Sequence, residues 1–440
     1  MEPLTILGGG PAGLAVAYYA HQARIPFVLY ESAEEVGGLC RTYEFGDHQY
    51  DSGAHRFHDR NPEITRDVRS IVELHPVTSP SRVFTEGRFL DFPPTPLNLL
   101  LSSSPLEWGR IGLDLWRGRR VKRVGPSFQE FAVSRFGQRL AERFLLGYSA
   151  KVWGLPSDQL SVDVATRRLD GISFRTLLLE LACPRKKAKH LDGHFLYPRK
   201  GFGEISKALH ASLPSEWVQT GFTITGLEFR DQSIRRIYFA SGRAIDVRGH
   251  VVSTIPLPLL VSLLERYLDD SVRSAARSLR FRHVRLVFLR LVIPRVSNNA
   301  SIYFPDTQMC ISRISEPKNR SEALAPPHET SLVAEVPCSD GDSLFLLSEE
   351  SLKDRVVAEI TRTGLIRSTD VADWRHHFLP YAYPTYSLNY RQALSEVLEG
   401  LQAISNLTTL GRNGRFFYSH MHDQLFMAKE FVSRFNAQSA

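Results

Sequence analysis

The chain has few cysteines, and their placement favours neither a disulfide framework nor a metal site. Cys40, Cys183, Cys310 and Cys338 are scattered over 440 residues, with no CxxC and no paired histidines nearby. That pattern argues against a disulfide scaffold and a structural zinc, so no metal is expected. HExxH is absent, as is any locally interpretable Ser/His/Asp arrangement. No apolar stretch is long enough to cross a bilayer, and the first strand begins almost at Met1, leaving no room for a cleavable signal. A reducing, cytoplasmic location is the expectation. Internal repeats and low-complexity tracts are also missing, so domains within this length should be interleaved rather than strung together.

Charge of one sign is only modestly in excess: 54 basic against 47 acidic residues give +7. The excess is uneven, because Arg110, Arg117, Arg119, Arg120, Lys122 and Arg123 crowd one short stretch. A solvated helix face, an anionic substrate and a membrane surface are three readings of it. Nucleic acid is not expected, since no aromatic stacking platform accompanies the basic residues. With 43% hydrophobic and 23% charged residues over 440 positions, the composition is that of a soluble globular protein of two domains.

What is present is a dinucleotide signature. Thr5–Leu7 is a short apolar run, and Gly8, Gly10 and Gly13 then fill the three glycine places of GxGxxG, with Ala12 between them. The first glycine permits a tight turn, the second lets the backbone approach a pyrophosphate, and the third lets a helix lie close on its strand. That helix continues through Leu14, Val16, Ala17 and Ala20, and its N-terminal amides favour phosphate charge. Phe27–Tyr30 reads as a second strand. Glu31 at its end is placed to accept hydrogen bonds from ribose hydroxyls.

Beyond Glu31 stand Gly37-Gly38-Leu39-Cys40-Arg41, a hairpin from Tyr43 to Asp51, and Ser52-Gly-Ala-His55-Arg-Phe-His58. Two glycines followed by Arg41 look like a second phosphate-contacting turn. The order of glycine turn, Glu, GG-x-x-R and D-x-G-x-H resembles the FAD-binding half of the amine oxidase, protoporphyrinogen oxidase and UDP-galactopyranose mutase superfamily. The resemblance implies that the loop bearing His55 lies against the isoalloxazine ring, where an imidazole titrating near neutrality is a candidate proton carrier. Further likenesses extend along the chain. Phe89–Pro93, Ser127–Phe131, Arg135–Gly137, Tyr148-Ser-Ala-Lys151-Val-Trp153-Gly and Arg167-Arg168 resemble the helical substrate side of mutase-like flavoproteins. Arg168 is the candidate catalytic arginine and Arg167 its substrate-contacting neighbour.

Phe195–Glu204 resembles the family's return to the FAD domain. Val218–Thr225, Ser233–Phe239 and Asp246–Thr254 read as strands, and the resemblance sets Ile224 against the adenine. In the stretch 266–404, Arg313, Tyr303 and Tyr386 are substrate candidates, with Tyr381, Tyr383 and Tyr390 beside Tyr386. Leu407–Gly414 and the helix from Met421 resemble the C-terminal flavin motif, which gives Gly411, Arg412 and Met421 to the cofactor.

The resulting expectation is an α/β chain: a Rossmann-like FAD-binding domain of glutathione-reductase type from residues 1–60, 195–265 and 405–440, interleaved with a mixed α+β substrate domain from 61–194, largely helical, and 266–404. The function it implies is an FAD-dependent oxidoreductase acting by hydride transfer to flavin N5 on a small anionic substrate. Two alternatives stand beside it: a mutase using reduced FAD as nucleophile on a sugar nucleotide or other phosphorylated compound, and an inactive flavin-binding scaffold. Mutases of the family carry Asp-Met-Asp where this chain has His420-Met421-His422, and that difference favours other chemistry or another substrate.

Overall fold

The computed structural model describes residues 2–92, 105–118, 125–166 and 194–439. Its organising layer is a five-stranded parallel sheet of Leu407–Thr409, His250–Ser253, Leu4–Leu7, Phe27–Tyr30 and Val218–Gln219, in that order. Leu4 pairs with Phe27 on one side and His250 on the other. The helix Pro11–Gln22 leaves the end of the first strand with Pro11 in its first turn and is buried from Pro11 to Ala20. A helix apolar on every side must be covered on every side. The sheet lies on one flank and the closing helix Met421–Ser439 supplies Met421, Leu425, Ala428 and Val432 to the same core.

The other large layer is a seven-stranded sheet of Val371–Pro384, Phe281–Leu291, Thr330–Cys338, Arg313–Ser315, Ser301–Tyr303, Ser81–Thr85 and Arg88–Phe92. Alternation along Phe281–Leu291 serves both faces. Val287, Leu289 and Leu291 pack with Leu352, Val356 and Ile360 of the helix Glu349–Arg362, whereas Val284, Leu286 and Phe288 pack with Tyr50 of the hairpin Thr42–Phe45/His48–Asp51. Tyr50 stacks on Phe288 at 4.0 Å, joining the two halves of the chain.

Two expectations change. Phe89–Phe92, read as part of a helical region, belongs to an edge strand paired with Ser81–Thr85, in keeping with its alternating aromatic residues. The expected strand Val218–Thr225 is broken at Gly221, whose φ of +76° turns the chain; Val218–Gln219 joins the parallel sheet and Ile224–Arg230 begins the separate meander with Ser233–Phe239 and Ala244–Asp246. In the basic stretch, Arg110 lies exposed on the helix Pro105–Gly118, while Arg119, Arg120, Lys122 and Arg123 lie outside the described residues. No described helix is long and apolar enough to cross a membrane.

Candidate active site

A cavity of about 1390 Å³ opens at the carboxyl ends of the parallel strands, where ligands bind in doubly wound sheets, and extends to the seven-stranded sheet. Gly8, Gly10 and Ala12 line one end. A Cβ on Gly13 would lie 1.9 Å from the Gly8 carbonyl oxygen, so the third glycine is required by helix–strand contact. Gly10 differs: a Cβ there meets only the Gly38 Cα, at 3.9 Å, and faces the cavity. Gly38, Leu39 and Arg41 continue that wall, and Arg41 donates to the Glu35 carbonyl. Glu31 accepts the Gly9 N–H at 2.6 Å and the Ala33 N–H at 2.9 Å, which aims its carboxylate along the glycine turn. Ile224 lines the cavity beside Phe222.

The histidine loop is held from below by Asp51. This buried carboxylate accepts hydrogen bonds from Thr42 Oγ1 at 2.6 Å, the Phe202 N–H at 2.9 Å and the Tyr197 hydroxyl, tying the loop to the Tyr197–Gly203 turn. Burial raises its pKa, against the pull of those donors. His55 stacks on Phe202 with centroids 5.1 Å apart, and its Nε2 lies 3.4 Å from Ser52 Oγ. Burial, together with Arg313, Arg412 and Arg320, pushes its pKa down to about 3. That direction runs against an imidazole titrating near neutrality. His58 is pushed down to about 3 as well, chiefly by burial and then by His420.

At the far end, Gly411 has a φ of +79°, and a Cβ on it would stand 2.6 Å from the Ala12 Cβ, so the C-terminal turn abuts the first helix. The Arg412 guanidinium donates to the Ala382 carbonyl and lies 4.3 Å from the Tyr418 ring centre; its buried Nε has no hydrogen-bond partner among the described residues. Met421 is buried and lines the cavity.

The substrate candidates separate. Arg313 lines the cavity but commits its fork to Glu335, with contacts of 3.0, 2.6 and 2.7 Å. Tyr303 faces the cavity between Phe92 and Tyr148, with ring centres 5.1 and 5.8 Å away. Tyr386 is buried between Trp153 and Tyr390, and its hydroxyl accepts the Tyr418 N–H at 2.7 Å, so only an edge of it reaches the cavity. Lys151 is turned away: its ammonium donates to the carbonyls of Phe304 at 2.7 Å, Ile311 at 3.0 Å and Asp306, and burial pushes its pKa down to about 8. Arg167 and Arg168 lie outside the described residues.

Sequence reasoning missed several wall residues. Glu335 sits among apolar neighbours in Thr330–Cys338, a strand buried at every position, and an acid so placed demands a partner. Asp163 is bound by Arg391 at 2.5 and 2.6 Å and by the Tyr390 hydroxyl at 2.8 Å, chiefly the former holding its carboxyl below the usual range. Arg56 follows His55 directly, inside a motif that draws attention to its histidines, and Arg60 lies two residues beyond that motif's last histidine, His58.

Comparison with known proteins identifies the family. Residues 11–422 match the model of the flavin containing amine oxidoreductase family, and the chain belongs to it. It is 24% identical over 177 residues to dTDP-fucopyranose mutase of Escherichia coli, covering 38% of this chain and 46% of that one. It is 26% identical over 299 residues to coproporphyrinogen III oxidase of Mycobacterium leprae, covering 62% and 63%. These matches span less than two thirds of each relative. In fold, the chain superposes on the structure of reduced UDP-galactopyranose mutase with a TM-score of 0.87 at 19% identity, over 100% of this chain and 96% of the other. The chain is accordingly a flavin-dependent enzyme with FAD as cofactor, and the cavity suits it: the second glycine opens onto space a Cβ would enter, and Arg412 Nε awaits an acceptor.

Proposed function

We propose that this enzyme oxidises a small anionic organic substrate by transferring a hydride from it to flavin N5. The charge balance of the cavity wall supports the reading. Among the described residues the wall carries six guanidiniums, Arg41, Arg56, Arg60, Arg313, Arg391 and Arg412, against three carboxylates, Glu31, Asp163 and Glu335. Two of those carboxylates are already matched, Asp163 to Arg391 and Glu335 to Arg313. A pyrophosphate at the glycine turn and Arg41 would use part of the surplus, and the rest favours a negative substrate and repels a cationic amine.

FAD supplies a two-electron acceptor when oxidised and a nucleophile when reduced. The chain's own residues do the holding: Gly8–Gly13 and Arg41 the pyrophosphate, Glu31 the ribose, Ile224 the adenine side, and Gly411, Arg412 and Met421 the pyrimidine end. His55, neutral and stacked on Phe202, shapes the ring pocket and carries no charge into it. Arg313 positions the histidine loop through Glu335, which also accepts the Ala54 N–H at 3.1 Å.

A second reading, a mutase acting on a sugar nucleotide without net redox change, is favoured by the dTDP-fucopyranose mutase match and by the same surplus of guanidiniums. The two are separated by incubating the FAD-loaded protein anaerobically with sugar nucleotides before and after chemical reduction of the flavin. Isomerisation that appears only after reduction selects the mutase; no isomerisation in either state, with oxidation of an anionic compound by the untreated enzyme, selects the oxidoreductase.

A further inference from the structure

Arg56 has surroundings that the cofactor cradle does not explain. It stands between His55 and Phe57 and lines the cavity. One Nη2–H donates to Ser81 Oγ at 3.0 Å, and the group lies 5.0 Å from the centre of the Phe195 ring; among the described residues it makes no ion pair. An arginine carries five N–H donors, so one hydroxyl leaves most of the fork unused. The neighbourhood adds to the deficit. Burial weakens its hold on its proton, and the nearby Arg320 and Arg313 do so too, against the opposing pull of Tyr303. Arg320 is itself buried, with Nη2 spent on the Ala300 carbonyl at 3.1 Å, and Glu335, on the same cavity wall, is taken by Arg313. A cation desolvated among cations is costly until an anion joins it.

An aromatic wall lines the same cavity. Tyr303, 5.8 Å from Arg313 Cζ, forms an aromatic wall with Phe92 and Tyr148 on the side of the seven-stranded sheet. Phe92 and Tyr303 come from the seven-stranded sheet and Tyr148 from the helix Gly147–Trp153, none of them from the glycine turn that would take the pyrophosphate.

We infer that Arg56 is the anchor for an oxyanionic group of the substrate, a carboxylate or a phosphate, with the rest of the substrate lying along Tyr303, Phe92 and Tyr148. The planar fork suits two-point binding of either group. The inference rests on the reading that the cavity takes an anionic substrate, and it adds where the anion sits.

The test measures binding without turnover, so that its failure is distinct from failure of the oxidation reading. FAD-loaded protein, whose own pyrophosphate site is filled, is titrated calorimetrically with inorganic pyrophosphate and with succinate. Wild type is expected to bind at least one, and the one preferred tells phosphate from carboxylate. Arg56→Met is expected to weaken that binding about tenfold or more, with flavin content unchanged. Should Arg56→Met fail to hold flavin, Arg56→Gln makes the same comparison. Binding within twofold of wild type in the flavin-loaded variant, or no binding of either probe to wild type, would overturn the assignment.

Discussion

Arg313 and Glu335 face each other as direct cross-strand partners and close a buried bidentate ion pair, with the shortest contact at 2.6 Å. Glu335 also receives the Ala54 N–H, so the seven-stranded sheet grips the histidine loop through one carboxylate. Removing a single member leaves a buried charge unmatched. Glu335→Ala is expected to lower stability by about 3–5 kcal/mol, whereas replacing both residues by Met restores most of it. The double variant still lacks the acceptor for Ala54 and should stay impaired in activity. Denaturant midpoints of the three proteins check this, and a shift below about 1 kcal/mol for Glu335→Ala would show that the pair is not desolvated.

Two glycines of one motif should fail in different ways. Gly13→Ala drives a methyl into the Gly8 carbonyl and is expected to cost about 3 kcal/mol or more of stability even without cofactor. Gly10→Val points into open cavity, so the apoprotein should melt as wild type does yet purify without FAD. Thermal melting alongside flavin absorbance separates the two, and a Gly10→Val protein with full flavin would refute the assignment of the pyrophosphate site.

The pH behaviour follows from His55. Its folded pKa, about 3, lies below the ordinary histidine value near 6.5, so the unfolded chain binds more protons between those limits. Its contribution to stability is intact above about 6.5 and is lost as pH falls toward 3. In His55→Phe the slope of unfolding free energy against pH in this window should fall by roughly one proton. The activity profile should likewise show no histidine inflection from this residue near neutrality. An inflection that disappears in His55→Phe would contradict the burial argument.

Lys151 is a pin for the turn between Phe304 and Ile311. Lys151→Met strands three carbonyls and is expected to cost about 2 kcal/mol or more, with the affinity for an anionic probe unchanged because the ammonium points away from the cavity. Calorimetric binding of succinate to the FAD-loaded variant reads this directly. A selective loss of anion affinity at unchanged stability would return Lys151 to the site.

The elements written in local code were legible in the sequence. The glycine turn, the strand ending at Tyr30 before Glu31, the hairpin through Asp51 and the closing helix from Met421 depend on spacing between near neighbours, and they form as read. Partnerships across the chain were not legible. Nothing near Arg313 announces that Glu335 will consume its fork, because the pairing depends on a strand register set 22 residues away. Nothing near His55 announces its low pKa, which comes from burial and from arginines at 313, 320 and 412. Lys151 looked like part of a functional motif, and only the fold of 304–311 shows what it holds. Glu335 alone left a local trace, an acid inside an apolar strand.

The most direct test of the whole account is anaerobic bleaching of the oxidised flavin band in the FAD-loaded protein by matched pairs of compounds, each pair sharing a carbon skeleton and differing in an anionic or an amino group. The account predicts that an anionic member bleaches the flavin and that its amine counterpart does not. Bleaching by amines alone would contradict it, since the surplus of guanidiniums on the cavity wall would then have no bearing on what the enzyme accepts.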